Sequence, residues 1–238
     1  DKIATSLLSD FVGGTTFNII PSLVSKFEDA SLPIGINRDG TGLSVTLYAL
    51  KHANSPRFII SRDSNRNRIT YNTKTFNKIL ELIKIANNSI AHIDPVLDRF
   101  NNQIQLKVEI KGSDTLIPLP LSTMSDGTIK WMSLITALIT SQNIFSIEEP
   151  ENFLHPLMQQ EIVKIMRSTM QSKEKDLFVL MTTHSESVLN SASPEEIVII
   201  EMKNGITLAR RIEDSSNMKK AINETGFGLG YYYLSNSF

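Results

Sequence analysis

The sequence predicts an α/β fold: a parallel core sheet flanked by helices, preceded by a mostly helical accessory lobe. Three observations predict it. Residues 121–201 alternate helices with strands that are near-continuous apolar runs (Ile144–Ile147, Leu177–Thr182 and Ile197–Ile200), the pattern of a parallel sheet covered on both faces. Upstream, Ile104, Leu106, Val108 and Ile110 alternate with polar residues, as in a half-buried strand. Before that, Phe76, Ile79, Leu80, Ile83 and Ala86 recur at helical spacing and form one apolar face.

The remaining elements follow in order. Residues 1–35 are broken by Ile19-Ile20-Pro21 and Leu32-Pro33, so loops with one or two short helices are expected there. Thr41–Ala53 reads as a helix with Leu43, Leu47 and Leu50 on one side, and Arg57–Arg68 as a polar, basic stretch with a turn after Phe58-Ile59-Ile60. Lys111–Asp114 is a turn into a proline-interrupted strand over Thr115–Leu121. A helix spans about Ile129–Thr140, and a second begins after His155-Pro156, with proline at its first turn and Met158, Ile162, Ile165, Met166 and Met170 as its buried stripe. Lys203-Asn204-Gly205 turns a hairpin into Ile206–Arg211, and the tail carries Gly226-Phe227-Gly228-Leu229-Gly230 before three tyrosines. A boundary near residue 103 divides an accessory lobe, 1–103, from an α/β lobe, 104–238.

Composition narrows the function classes. With no cysteine, disulfide frameworks and thiolate metal sites are excluded, and a reducing, cytoplasmic setting suits the chain. Its net charge of −1 gives no global field for nucleic acid, so any such surface is local. Arg57, Arg62, Arg66 and Arg68, with Lys51 and Lys74 nearby, form one basic cluster; a solvated face and a contact with DNA phosphates both fit it. No apolar run approaches the ~18 residues of a membrane span, so no membrane partner is expected.

Three segments carry candidate chemistry. At the end of the strand Asn143–Ile147 stand Glu148 and Glu149, followed by Pro150-Glu151-Asn152. Ligands of open α/β sheets bind at that edge, where adjacent carboxylates aim differently: one can reach Mg²⁺ and the other an attacking water. A solvated acidic loop is the plainer alternative. Upstream, Ser125-Asp126-Gly127-Thr128 opens a helix; Ser125 or Asp126 suits an N-cap, and the same turn presents amides and a hydroxyl to an anion. Downstream, Thr182-Thr183-His184-Ser185 ends the next strand, one right-handed crossover away, at the same sheet edge as the glutamates.

In that order, the segments resemble the ABC-type ATPases, P-loop NTPases of the RecF/SMC-like and OLD-like (AAA15/21-type) group. The resemblance runs over Leu121–Thr140 for the signature loop, Phe145–Pro156 for Walker B and the D-loop, and Val179–Leu189 for the switch region. More loosely, Asn37–Leu43 looks like part of the group's inserted lobe and Gly228–Tyr231 like its common ending. The resemblance implies ATP and Mg²⁺ as cofactors, with Glu148 supporting the metal and Glu149 positioning the hydrolytic water. It places Ser125, Asp126 and Gly127 against the γ-phosphate held by an opposite subunit, Asn152 and His155 in the D-loop at the dimer interface, and His184 as γ-phosphate sensor. Glu148 stands where many relatives carry Asp, and Thr128 where transporters carry Gln.

No Gly-x-x-x-x-Gly-Lys-Ser/Thr loop occurs; the nearest approach is Gly13-Gly14-Thr15-Thr16, without lysine. Because the chain opens on Asp1 rather than Met, a missing N-terminal lobe that carries the P-loop is expected. The implied function is an ATP-sandwich homodimer that controls DNA processing or a separate effector such as a nuclease, in anti-phage defence. Competing classes are a RecF-type repair ATPase, a non-hydrolysing scaffold and a transporter subunit; Thr128 and the unmatched N-terminal segment weigh against the last.

Overall fold

The computed structural model describes residues 15–53, 57–60, 68–141, 145–171 and 178–235. The chain begins with β1 (Thr15–Phe17), α1 (Pro21–Val24), β2 (Glu28–Asp29) and α2 (Leu43–Lys51). A hairpin of β3 (Arg57–Ile60) and β4 (Arg68–Tyr71) precedes α3 (Thr73–Ala86), β5 (Ile90–Asp98), β6 (Gln103–Lys111) and β7 (Leu116–Pro120). Then follow α4 (Asp126–Thr140), β8 (Phe145–Glu148), α5 (Pro156–Gln171), β9 (Val179–Thr182) and α6 (Glu186–Leu189). The chain closes with β10 (Val198–Lys203), β11 (Ile206–Arg211), α7 (Ser215–Thr225) and α8 (Leu229–Leu234).

Two sheets matter for the site. The parallel one has the order β1-β8-β9, with Phe17 opposite Ile147 and Ile147 opposite Met181, and it ends where Glu148 meets Thr182. The antiparallel one centres on β6, flanked by β5 along one edge and by β2 and β7 on the other. Between these sheets lies one continuous core that draws Leu47 from α2, Ile79 from α3, Val108 from β6, Ile135 from α4, Ile147 from β8 and Ile162 from α5. No helix among the described residues is long and apolar enough to cross a membrane.

Helix α4 is the axis of this core. Its residues from Thr128 to Leu138 are buried on every side, as befits a helix packed against α1, α2, α3 and α5. Two buried hydroxyls inside it are satisfied locally: Thr136 Oγ1 donates to the Met132 carbonyl and Thr140 Oγ1 to that of Thr136, each at 2.7 Å, whereas the buried Ser133 hydroxyl has no hydrogen-bond partner among the described residues. Trp131, fully buried, donates from its indole nitrogen to the Leu82 carbonyl of α3 at 3.0 Å.

Several sequence expectations shift. The N-terminal segment read as loops and short helices includes strands β1 and β2, too short for any periodicity to announce them. Strand β5 carries Pro95 within its ladder and a register irregularity between Ile90 and His92, and both hide the alternation. The expected junction at residue 103 falls in the β5–β6 hairpin, whose strands pair across it. The segment 197–200, expected in the parallel sheet, pairs antiparallel with β11 instead, closed by a turn with Asn204 and Gly205 at positive φ. Gly13, Gly14, Arg62 and Arg66 lie outside the described residues, as do the side chains of Arg57 and Arg68. Lys51, from the same basic cluster, is paired with Asp94 of β5.

Replacing Trp131 with Phe removes the link to α3 and leaves a small void. Urea unfolding is expected to show a loss of about 1–3 kcal/mol.

Candidate functional site

Parallel pairing of β8 with β9 brings the chemistry-bearing residues to one sheet edge. The ladder continues past the strand: the Glu149 amide donates to the Thr182 carbonyl at 3.0 Å and lies 3.3 Å from Thr182 Oγ1. This second bond helps hold Glu149 at a φ of +41°, a left-handed conformation that is unusual for a glutamate. The chain then coils into a compact turn in which Asn152 N donates to the Glu149 carbonyl and Leu154 N to that of Glu151. Phe153 takes a φ of +67°.

The two adjacent carboxylates have different surroundings. Glu148 accepts from Asn18 Nδ2 at 3.0 Å, just beyond β1, and lies 3.7 Å from the Arg38 guanidinium. Glu149 turns the other way and accepts from Asn152 Nδ2 at 2.8 Å. The third carboxylate, Glu151, ties the turn to the next strand. One of its oxygens accepts from Thr183 Oγ1 at 2.7 Å and from the His184 amide at 2.9 Å. Its other oxygen is shut away from solvent without a hydrogen-bond partner.

Beyond β9, His184 is exposed, with Nδ1 3.3 Å from the Tyr233 hydroxyl of α8. Helix α8 reaches this position because Gly228 and Gly230 permit close packing: a Cβ on Gly230 would overlap Glu186 of α6, and one on Gly228 would overlap Asn190. Ser185 caps α6 and also donates to Gln159 of α5, whose amide in turn reaches the Leu154 carbonyl at 2.8 Å.

At the start of α4, Ser125 is the N-cap, its hydroxyl 3.3 Å from the Thr128 amide and 2.9 Å from Thr128 Oγ1. Asp126 is exposed in the first turn, where its charge complements the helix dipole. Gly127 faces the turn of β8: a Cβ there would overlap the Phe153 carbonyl oxygen. One turn further, Lys130 is 2% exposed and donates from Nζ to the Glu149 carbonyl at 2.9 Å. Its ammonium lies 5.8 Å from the centre of the Phe153 ring. Burial lowers the Lys130 pKa to about 8, opposed by the negative charges of Glu151 and Glu149.

The structure thus joins Gly127, Glu149, Asn152 and His184 through direct contacts or through Glu151, and places Glu148 beside them on β8. Ser125, Asp126 and His155 make no hydrogen bond to these carboxylates among the described residues; His155 Nδ1 accepts from Leu157 N at 3.4 Å, at the start of α5. Sequence reasoning missed Asn18, Arg38, Lys130, Glu151 and Tyr233. Lys130 carried a usable signal, a charge set between Ile129 and Trp131 in a mostly apolar stretch of the helix. Asn18 and Arg38 carried none, because their relation to Glu148 is purely tertiary.

For Mg²⁺, the donor set fits one mode of binding. The described residues contain no cluster of three or more His, Asp or Glu able to cage a metal. Glu148, partly exposed at a strand end, suits an ion that keeps most of its waters and takes one carboxylate besides its phosphate ligands.

Residues 40–190, well over half the chain, match the family described as "AAA domain, putative AbiEii toxin, Type IV TA system". "Endonuclease GajA" of Bacillus cereus (strain HuB5-5) is 28% identical over 137 residues, 50% of this chain and 20% of that protein. "ATP/GTP phosphatase" of Helicobacter pylori (strain ATCC 700392 / 26695) is 31% identical over 111 residues, 46% of this chain and 29% of its own length. The chain therefore spans less than a third of either relative. Among solved structures, one described as "Structural biochemistry of ATP-driven dimerization and DNA stimulated activation of SMC ATPases" aligns with a TM-score of 0.45 and 12% identity, covering 65% of this chain and 94% of that one. An SMC head domain from Thermotoga maritima aligns at 0.40 and 14%, covering 59% and 47%.

Two outcomes test this geometry. Gly127→Ala forces the helix start away from Phe153 and is expected to lower stability by about 1–3 kcal/mol in urea unfolding. For Lys130 the sign follows from its lowered pKa. An unfolded lysine titrates near ~10.4, so from about pH 8 to that value the unfolded chain holds the extra proton and stability rises with pH. Across that window the urea midpoint of the wild type should climb relative to that of Lys130→Met.

Proposed function

The chain belongs to this AAA-domain family, and from that premise we propose that it is an ATP-binding and ATP-hydrolysing subunit whose ATP-driven pairing with a second copy controls an effector or DNA processing. The observation that carries the reading is the Glu148-Glu149 end of β8, locked by the Glu149–Thr182 backbone bond to the strand that presents His184. Two differently held carboxylates beside a histidine, at the ligand-binding edge of a parallel sheet, suit phosphoryl transfer to water.

In this reading Glu148 is the residue that would hold Mg²⁺, and the ion would supply charge neutralisation at the phosphate oxygens. Glu149 orients a water and accepts its proton as the water oxygen bonds to the γ-phosphorus and the bond to the ADP oxygen breaks. His184 reports the γ-phosphate, with its Nδ1 side engaged by Tyr233. Ser125, Asp126 and Gly127 face the nucleotide of the second copy, and Asn152 and His155 line the contact between copies. Phe153 and Leu157, both largely exposed, lie in this same stretch and suit that contact. The backbone cradle and lysine for the β- and γ-phosphates come from outside these 238 residues, which contain no P-loop motif.

A relative named as an ATP/GTP phosphatase supports hydrolysis, and one named as an endonuclease supports a nuclease as the controlled effector. Bacterial anti-phage defence is the setting we favour over RecF-type repair; the family description, with its toxin–antitoxin wording, is compatible with it. The competing reading is a non-hydrolysing scaffold that pairs or tethers an effector without turnover.

Glu149→Gln in the intact protein separates the two. Loss of the general base is expected to lower ATP turnover by roughly 10²–10⁴-fold, and the ATP-bound pair should live longer by size-exclusion or light-scattering measurement. Turnover equal to that of the wild type would favour the scaffold.

A further inference from the structure

We propose that Lys130 is the positioning residue for Glu149: its ammonium grips the Glu149 main-chain carbonyl and so couples the start of α4 to the turn that aims the carboxylate. This rests on the reading of Glu149 as the water-orienting group.

The geometry carries the argument. Glu149 sits in a left-handed conformation that costs a non-glycine residue about 1–2 kcal/mol, so its neighbours must hold it there. Its amide is fixed by Thr182 and its carbonyl by Lys130 and Asn152, so both flanking peptide planes are pinned. With φ and ψ fixed, the side chain emerges in one direction, towards Asn152. Lys130 is the only one of these partners that belongs to the signature helix, and it lies just over one helical turn from Ser125, within α4.

Burial argues that the lysine is retained for this contact rather than for packing. A methionine would fill nearly the same volume without desolvating an ammonium, and a buried charge weakens the folded state unless its pairing offsets the cost. Its surroundings are arranged to offset part of it: the Glu149 carbonyl accepts a hydrogen bond from it, the Phe153 ring lies near it, and Glu151 and Glu149 place negative charge in its field. Glu151 binds the His184 amide in turn, so the lysine faces the turn from which both Glu149 and the switch histidine are held.

Any displacement of the first turns of α4 by a nucleotide on a second copy would therefore reach the peptide that aims Glu149. No rearrangement of the sheet is needed, because Gly127 already touches the Phe153 carbonyl and Lys130 the Glu149 carbonyl.

The test compares Lys130→Met and Lys130→Arg in the intact protein, with Glu149→Gln in parallel. One measurement is amide exchange over residues 149–154, and the other is steady-state ATP turnover. Lys130→Met should speed exchange at the Asn152 amide about tenfold or more while leaving the centre of α4 protected. It should lower kcat at least about tenfold with KM within about threefold, and Lys130→Arg should recover most of both losses. Unchanged exchange and kcat in Lys130→Met would overturn the proposal. So would equal damage in both variants, or exchange that rises throughout α4, since these mark a core residue and nothing more. If Glu149→Gln keeps full turnover, the hydrolysis reading falls, and the exchange measurement still decides whether Lys130 holds the turn.

Discussion

The contact between the start of α4 and the turn after β8 is the constraint on which the rest of the site depends. Gly127 leaves no side chain between the helix and the Phe153 carbonyl, and Lys130 bonds the Glu149 carbonyl one turn later. From Thr128 to Leu138 α4 is buried on every side, and the position of this stretch is fixed by α3 through Trp131 and by the packing of α1, α2 and α5. Close-packed interiors transmit displacement rather than absorb it. The segment 149–153 therefore inherits its place from a helix anchored across the whole core.

A second set of ties joins that turn to the neighbouring strand. Thr182 holds the Glu149 amide, Glu151 holds Thr183 and His184, and Gln159 links the Leu154 carbonyl to Ser185. The carboxylates and the histidine sit on different strands but share one hydrogen-bonded frame. The C-terminal helix α8 joins it from outside, its glycines allowing the approach that brings Tyr233 to His184. A hydrogen bond at Nδ1 leaves Nε2 as the nitrogen facing away from the protein partner, the usual way a histidine is oriented for a ligand.

How much of this was legible in the sequence depends on how local each signal was. Helices α2, α3 and α5 declared themselves through apolar spacing within their own residues, α4 through the capping residues that open it, and strands β6 and β8 through alternation or a short apolar run. That Glu148, Glu149 and His184 share one sheet edge was legible because strand ends are readable and parallel order brings them together. What escaped was tertiary or conformational. Strand β1, three residues long, pairs with a strand about 130 residues away, so nothing near Thr15 could announce it, nor the Asn18 that follows it to Glu148. The segment 197–200 had the apolar composition of a core strand, yet Val198 and Ile200 are exposed and the Asn204-Gly205 turn folds it onto β11. Composition could not distinguish those two pairings; the turn could.

The sequence offers Ser125 two roles, helix cap or anion contact, and its hydrogen-bonding capacity bears on both. The structure realises the cap: the Thr128 amide donates to the hydroxyl and stabilises the helix start by about 1 kcal/mol. A hydroxyl has one proton and two acceptor lone pairs, and the amide uses one lone pair. The Thr128 hydroxyl supplies the other contact, and when it is the donor the Ser125 proton remains free on an exposed residue. Capping then fixes the orientation of the hydroxyl instead of occupying it. The cap is therefore compatible with an anion contact, and a helix start that is capped, closely packed through Gly127 and tied to Glu149 through Lys130 would present such a contact in a fixed place. The features that make the fold stable here are the ones that would make the site exact.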